Sequence, residues 1–160
     1  MRDYLEIYTV SFFGHRHIDN VSAIEDKLEP IIENLLRTKE YVEFLVGRNG
    51  DFDHIAASVV RRVKKRLDYG NCTLILILPY PTAEYKKNEE YFYQYYDEVE
   101  ICEESSNSHY KAAIGIRNKY MIDRSDSVIC YIANDNGGAY KAVLYAKKML
   151  KNVLNIVKSV

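Results

Sequence analysis

Cysteine is scarce and badly spaced for any cross-linked or metal-clustered fold. The 160 residues hold three, Cys72, Cys102 and Cys130, an odd number with neither redox nor metal-ligand spacing. Cys72 and Cys130 stand in apolar runs that read as buried strands, so reduced core thiols in a cytosolic protein are expected. Charge of one sign is lacking too. Lys and Arg number 22 and Asp and Glu 23, a net charge of -1. No global field draws in nucleic acid or an acidic membrane, and both are set aside as partners, although composition does not speak to a local basic groove. No apolar run approaches the roughly 20 residues that a membrane helix needs. Arg2, Asp3 and Glu6 at the start do not fit a secretory leader. Repeats, linkers and low-complexity tracts are absent. So are a nucleophile elbow, a Walker A lysine motif and a His-Glu-x-x-His metal helix.

What is present is an ordinary globular balance, 48% hydrophobic and 28% charged, with length enough for one domain over residues 1–160. Strand and helix patterns alternate. Ile7 to Phe13 reads as a buried strand ending at Gly14, and Val21 to Thr38 as a helix that Pro30 should kink or split. Tyr41 to Val46 is a second strand, Asp53 to Leu67 a second helix and Cys72 to Leu78 a continuous apolar strand. Continuous apolarity means burial on both faces, as in a parallel sheet. Thr82 to Tyr96 is polar and aromatic with a short helix. Val99 to Cys102 reads as a short strand, Glu103 to Ser108 as a loop and Tyr110 to Arg124 as a helix. Ser127 to Ile132, Ala139 to Lys151 and Val153 to Val157 close the chain as strand, helix and strand. The class is α/β: a doubly wound, mostly parallel sheet of about six strands with helices on both faces. Ligands of such sheets bind beyond the carboxyl ends of the strands, near the point where strand order reverses.

The unusual residues stand in those carboxyl-end loops. After the first strand come Gly14, His15 and Arg16. The glycine suits a tight turn and Arg16 offers a fork of donors to phosphate or carboxylate, with His15 beside it. The dull alternative is a plain turn with a solvated arginine. After the second strand come Gly47, Asn49, Gly50 and Asp53. The glycines admit a ligand close to the backbone, and Asp53 either caps the next helix or accepts from a ribose hydroxyl. After the fifth strand Gly137-Gly138-Ala139-Tyr140 opens the last helix, where free backbone N–H groups and the helix dipole favour an anion. Arg117 and Asn118 lie on the preceding helix, and Asp123 and Asp126 at its end are candidates to hold Arg16 or Arg117 in place. Tyr91, Tyr93, Tyr95 and Tyr96 stack on a base, form a dimer contact or line a partly buried helix. The alternation His15, His17, Asp19 aligns metal ligands only in an extended segment, and this one reads as a loop, so no metal is expected.

Taken in order, the Phe12-Phe13-Gly14-His15-Arg16 turn, the Gly47-x-x-Gly50-x-Phe52-Asp53 turn, the Arg117-Asn118-x-x-Met121-x-Asp123-x-Ser125-Asp126 helix end and the Gly137-Gly138-Ala139-Tyr140 turn resemble the YpsA-like branch of the SLOG superfamily. Ala146-Lys147-Lys148 fits the same pattern. The resemblance implies a Rossmann-like fold and a nucleotide or nucleotide-derived ligand, ADP-ribose-like compounds included. Its relatives include the Lonely Guy phosphoribohydrolases and the DNA-processing protein DprA. The Lonely Guy signature Pro-Gly-Gly-x-Gly-Thr-x-x-Glu is only half kept. Gly137 and Gly138 match its glycine pair, but Tyr140, Lys141 and Leu144 stand where the third glycine, the Thr and the catalytic Glu would be. A leucine serves as neither acid nor base.

Two readings follow. In the first, the chain is a nucleotide-binding or nucleotide-sensing domain without robust catalysis, its partner a small phosphorylated ligand held at Gly137, Gly138 and Arg16, in a chain that self-associates if the tyrosines form a contact. In the alternative it hydrolyses or transfers at an N-glycosidic bond, with Asp53, Asp123, Asp126 or Glu103 as the carboxylate.

Overall fold

The computed structural model describes residues 5–157. Arg2 and Asp3, used above against a leader, lie outside the described residues. Six strands form one sheet: β1 (Ile7–Gly14), β2 (Tyr41–Val46), β3 (Cys72–Leu78), β4 (Glu98–Ile101), β5 (Ser127–Tyr131) and β6 (Asn152–Asn155). Their order is β4-β3-β2-β1-β5-β6, and every pairing is parallel. The helices are α1 (Val21–Thr38), α2 (Asp51–Leu67), α3 (Ala83–Lys87), α4 (Glu89–Tyr95), α5 (Glu103–Ser106), α6 (Tyr110–Arg124) and α7 (Gly138–Lys148).

The continuous apolar strands divide their side chains between two cores. Phe12, Phe44, Val46, Leu74 and Leu76 join the core under α1 and α2, whereas Phe13, Leu45, Ile75 and Ile77 join the one under α6 and α7. A period of two sends successive residues to opposite faces, so a strand apolar at every position needs helices on both sides. On α1, Ile24, Leu28, Ile32 and Leu36 recur every fourth residue and form its buried stripe, and the Asn20 side chain accepts from the Ala23 N–H at its start.

Of the expected kink or split at Pro30, the split does not occur: α1 runs unbroken through it. The proline sits on the exposed side of the helix, where water can serve the carbonyl that its missing N–H would have used. The expected loop over Glu103 to Ser108 contains the short helix α5, and Thr82 to Tyr96 makes two short helices instead of one. Cys72, Cys102 and Cys130 are all buried free thiols. Burial pushes Cys72 and Cys130 up to about 11. Among the described residues no helix is long and apolar enough to cross a membrane.

Candidate functional site

Strand order reverses between β1 and β5. From β1 the chain moves outward through β2, β3 and β4 on one side; β5 and β6 lie on the other. The loops leaving the two central strands therefore diverge and open a cleft of about 650 Å³ at the carboxyl ends. Its walls come from the β1–α1 loop, the β2–α2 turn, one face of α6 and the β5–α7 loop. Gly14, His15, Arg16, Gly47, Asn49, Asp53, Arg117, Asn118, Gly137, Gly138 and Ala139 all line it. Four segments singled out in the sequence thus meet in one place.

The glycines do different jobs. A Cβ on Gly14 would lie 2.3 Å from the buried Phe52 ring, and one on Gly50 2.4 Å from the backbone of Arg16. Both are small because other parts of the chain lie against them. Gly50 does not line the cleft, so its expected role in admitting a ligand is replaced by packing of the β1–α1 loop on the start of α2. That junction is tied by the Asp51 N–H donating to Arg16 O (2.8 Å) and the Ile18 N–H donating to the Asp51 carboxylate (2.9 Å). Gly137 and Gly138 are the opposite case. A Cβ on either would meet nothing within 4 Å, and Gly137 has φ +94°, a backbone that favours glycine. The N-terminus of α7 carries no side-chain cap and no acidic residue in its first turn. Its first N–H groups have no acceptor among the described residues, and the exposed Gly137 and Gly138 line the cleft.

The floor is built around Arg117, which is 3% exposed. Its Nε donates to Asn118 Oδ1 (3.0 Å), one terminal nitrogen to Ile77 O (2.8 Å) and the other to Asn49 Oδ1 (2.6 Å). Among the described residues no carboxylate forms an ion pair with it. Burial pulls its pKa below the usual guanidinium range, while the charge of Asp53 pulls it back up. Gly47 leaves room for this head, since a Cβ there would stand 3.1 Å from the guanidinium. Asp53 accepts from the Asn49 N–H at 2.8 Å and so reaches back over the turn before α2. It is not the helix cap, a position taken by Gly50, because α2 starts two residues earlier than the sequence pattern indicated. Burial raises the Asp53 pKa, and the Asn49 N–H and Arg117 oppose that rise.

His15 locks the opposite wall. Its Nε2 accepts from the Ala133 N–H (2.8 Å) and the Asn134 N–H (3.3 Å), which puts the ring proton on Nδ1. Arg16 is exposed and lines the cleft, and its guanidinium forms no hydrogen bond or ion pair among the described residues. A free guanidinium, an uncapped helix start and a buried guanidinium thus share one cleft. They are the donor types that hold phosphate oxygens.

Several expectations do not survive. Asp123 accepts from the Tyr145 hydroxyl (2.6 Å) and Asp126 from the Thr9 N–H (2.7 Å), at the amino end of the sheet, so neither supports Arg16 or Arg117. Of the four candidate carboxylates only Asp53 lines the cleft. Tyr140 lies in the first turn of α7 outside the lining, and Leu144 is exposed on the same helix away from the cleft. The tyrosines of α4 belong to a separate aromatic cluster. Tyr96 is buried and accepts from Arg48, Tyr93 meets the Tyr85 hydroxyl, and Tyr91 stacks on Tyr95. Sequence reasoning missed Ile114 and Met121 as lining residues. They stand three before and four after Arg117, a helical spacing that would have found them.

The family model described as the YspA SLOG family matches residues 7–156. No curated protein matches the chain. Solved structures that share its fold include two DNA processing proteins. DNA processing protein A (DprA) from Streptococcus pneumoniae is 15% identical with a TM-score of 0.65, covering 92% of this chain and 49% of its own. DNA processing protein A from Helicobacter pylori, described for its single-stranded DNA binding mode, is 18% identical with a TM-score of 0.64, covering 91% of this chain and 63% of its own. The chain therefore spans less than two thirds of either neighbour. The second neighbour corrects the partner expectation, which put a small phosphorylated ligand first and set nucleic acid aside. A net charge of -1 describes the whole surface, and a few cations in one cleft bind phosphates locally whatever the total.

Proposed function

The chain belongs to the YspA SLOG family, and we propose that its cleft binds nucleotide units of a single-stranded nucleic acid. A backbone phosphate sits on the N–H groups of Gly138 and Ala139 at the start of α7. Arg16 closes over it from the facing loop, and Arg117 with Asn118 presents donors and an amide to the sugar or base at the floor. The observation that carries this reading is the uncapped start of α7, where Gly137 and Gly138 leave open space beside unpartnered N–H groups. The Helicobacter pylori neighbour supports a single strand as the source of that nucleotide.

The test is fluorescence anisotropy with a labelled deoxythymidine 12-mer, run beside thermal-shift measurements with free mononucleotides and ADP-ribose. Binding of the oligomer is expected, with log Kd rising against log salt by about 0.7 per phosphate contacted. Stabilisation by a free nucleotide without binding of the oligomer would make the ligand a free nucleotide and overturn the single-strand reading. Silence in both assays would overturn nucleotide binding itself.

A further inference from the structure

We propose that Tyr110, braced by His109, is a stacking platform for a nucleobase at the mouth of the cleft; this rests on the nucleotide-binding reading and adds the residue that meets the base. Tyr110 is the first residue of α6. Seven residues of α-helix turn through about 700°, some 20° short of two full turns. Tyr110 therefore leaves the helix in nearly the direction of Arg117 and stands about 10 Å further along the axis. Ile114, between them on the same side, lines the cleft, as does Arg117. Because α6 leads into the start of β5, its first turn lies at the carboxyl end of the sheet, where the cleft opens.

Further along that helix face Ala113, Arg117 and Met121 are buried and Ile114 is half-buried. Tyr110 is 67% exposed, and its hydroxyl has no hydrogen-bond partner among the described residues. His109 fixes its ring. The His109 Nδ1 accepts from the Lys111 N–H at 3.2 Å and so caps α6. The imidazole stacks on Tyr110 with centroids 4.9 Å apart and 25° between planes. One face of the tyrosine thus meets the imidazole, and no other ring contact of Tyr110 occurs among the described residues. An oriented aromatic ring with a free face takes any base, because every base has a π-face. The exposed Tyr91, stacked on Tyr95, offers no such platform because it belongs to α4, no residue of which lines the cleft.

The chain contains no tryptophan, so Tyr110→Trp installs a single reporter at the proposed contact. Titrated with a deoxythymidine 12-mer, its fluorescence should be quenched in step with binding seen by anisotropy. An abasic strand of equal length should give little quenching. Tyr110→Ala should weaken binding of the 12-mer by roughly 5- to 150-fold, the span of one base–aromatic stack, and narrow its preference over the abasic strand. Tyr110→Phe should stay near wild type, as should Tyr91→Ala. Binding of the 12-mer without quenching, or with Tyr110→Ala as tight as wild type, would overturn the assignment and leave the nucleotide reading standing. Failure of the wild type to bind any strand would overturn both.

Discussion

Replacing Gly138 by Asp should raise the stability of the protein and lower its affinity for a single strand. Gly138 is the first residue of α7 and has an ordinary backbone, and a Cβ there meets nothing within 4 Å. Asp is sterically admissible at that position. Its charge complements the helix dipole, an effect of about 0.3–1 kcal/mol. For a domain of this size that is roughly 1–4 °C in Tm. The same carboxylate occupies the place assigned to a phosphate and takes up the N–H groups that would hold it. Losing a charge-assisted hydrogen bond costs about 1.5–3 kcal/mol, which is ~10- to 150-fold in Kd, and like-charge repulsion adds to that. Differential scanning fluorimetry reads the first change and anisotropy with the deoxythymidine 12-mer at low salt reads the second. Gly138→Asn separates charge from size. It should leave stability near wild type and weaken binding far less than Asp does. A Gly138→Asp protein that binds as tightly as wild type would refute the phosphate assignment, since no other residue is proposed to replace those N–H groups.

Gly14→Ala and Gly50→Ala should each destabilise by about 1–3 kcal/mol in urea melts, because the added methyl meets the Phe52 ring or the Arg16 backbone, whereas Gly138→Ala should leave stability nearly unchanged. Arg117→Met should lower Tm by several degrees and weaken oligomer binding, because Ile77 O and the amide oxygens of Asn49 and Asn118 lose their donor, at about 1–3 kcal/mol if they stay dry. Cys72 and Cys130, buried and held near a pKa of about 11, should resist alkylation at pH 8 in the native protein and react once it is unfolded in urea. Rapid native labelling of either would mean that its strand opens readily. His15→Phe should speed hydrogen exchange at the Ala133 and Asn134 amides, which lose their shared acceptor.

The fold was legible in the sequence because its main signals are local. Uninterrupted apolar strands such as Cys72–Leu78 require helices on both faces, and a four-residue repeat such as Ile24, Leu28, Ile32 and Leu36 requires one buried stripe. Membership of the SLOG family was legible in the order of three short turns and one helix end. The jobs of individual site residues were less so, because those depend on partners far along the chain. Gly50 and Gly137 look alike as letters, yet one is pressed against Arg16 and the other faces open space. Asp123 and Asp126 follow Arg117 closely in sequence, but α6 carries them to the other end of the sheet. The tyrosines from Tyr91 to Tyr96 drew attention by number alone, and their contacts with Arg48, Phe92 and one another form only in the folded chain. The partner was misjudged for a related reason: a sum of charges carries no information about where they gather.

The central claim concerns the start of α7, and backbone amide chemical shifts report on it most directly. On titration with a short deoxythymidine oligonucleotide, the amides of Gly138 and Ala139 should move downfield as they take up a phosphate, and saturate at the Kd measured by anisotropy. If the oligonucleotide binds while those amides stay in place, phosphate is held elsewhere and the account of this cleft is wrong.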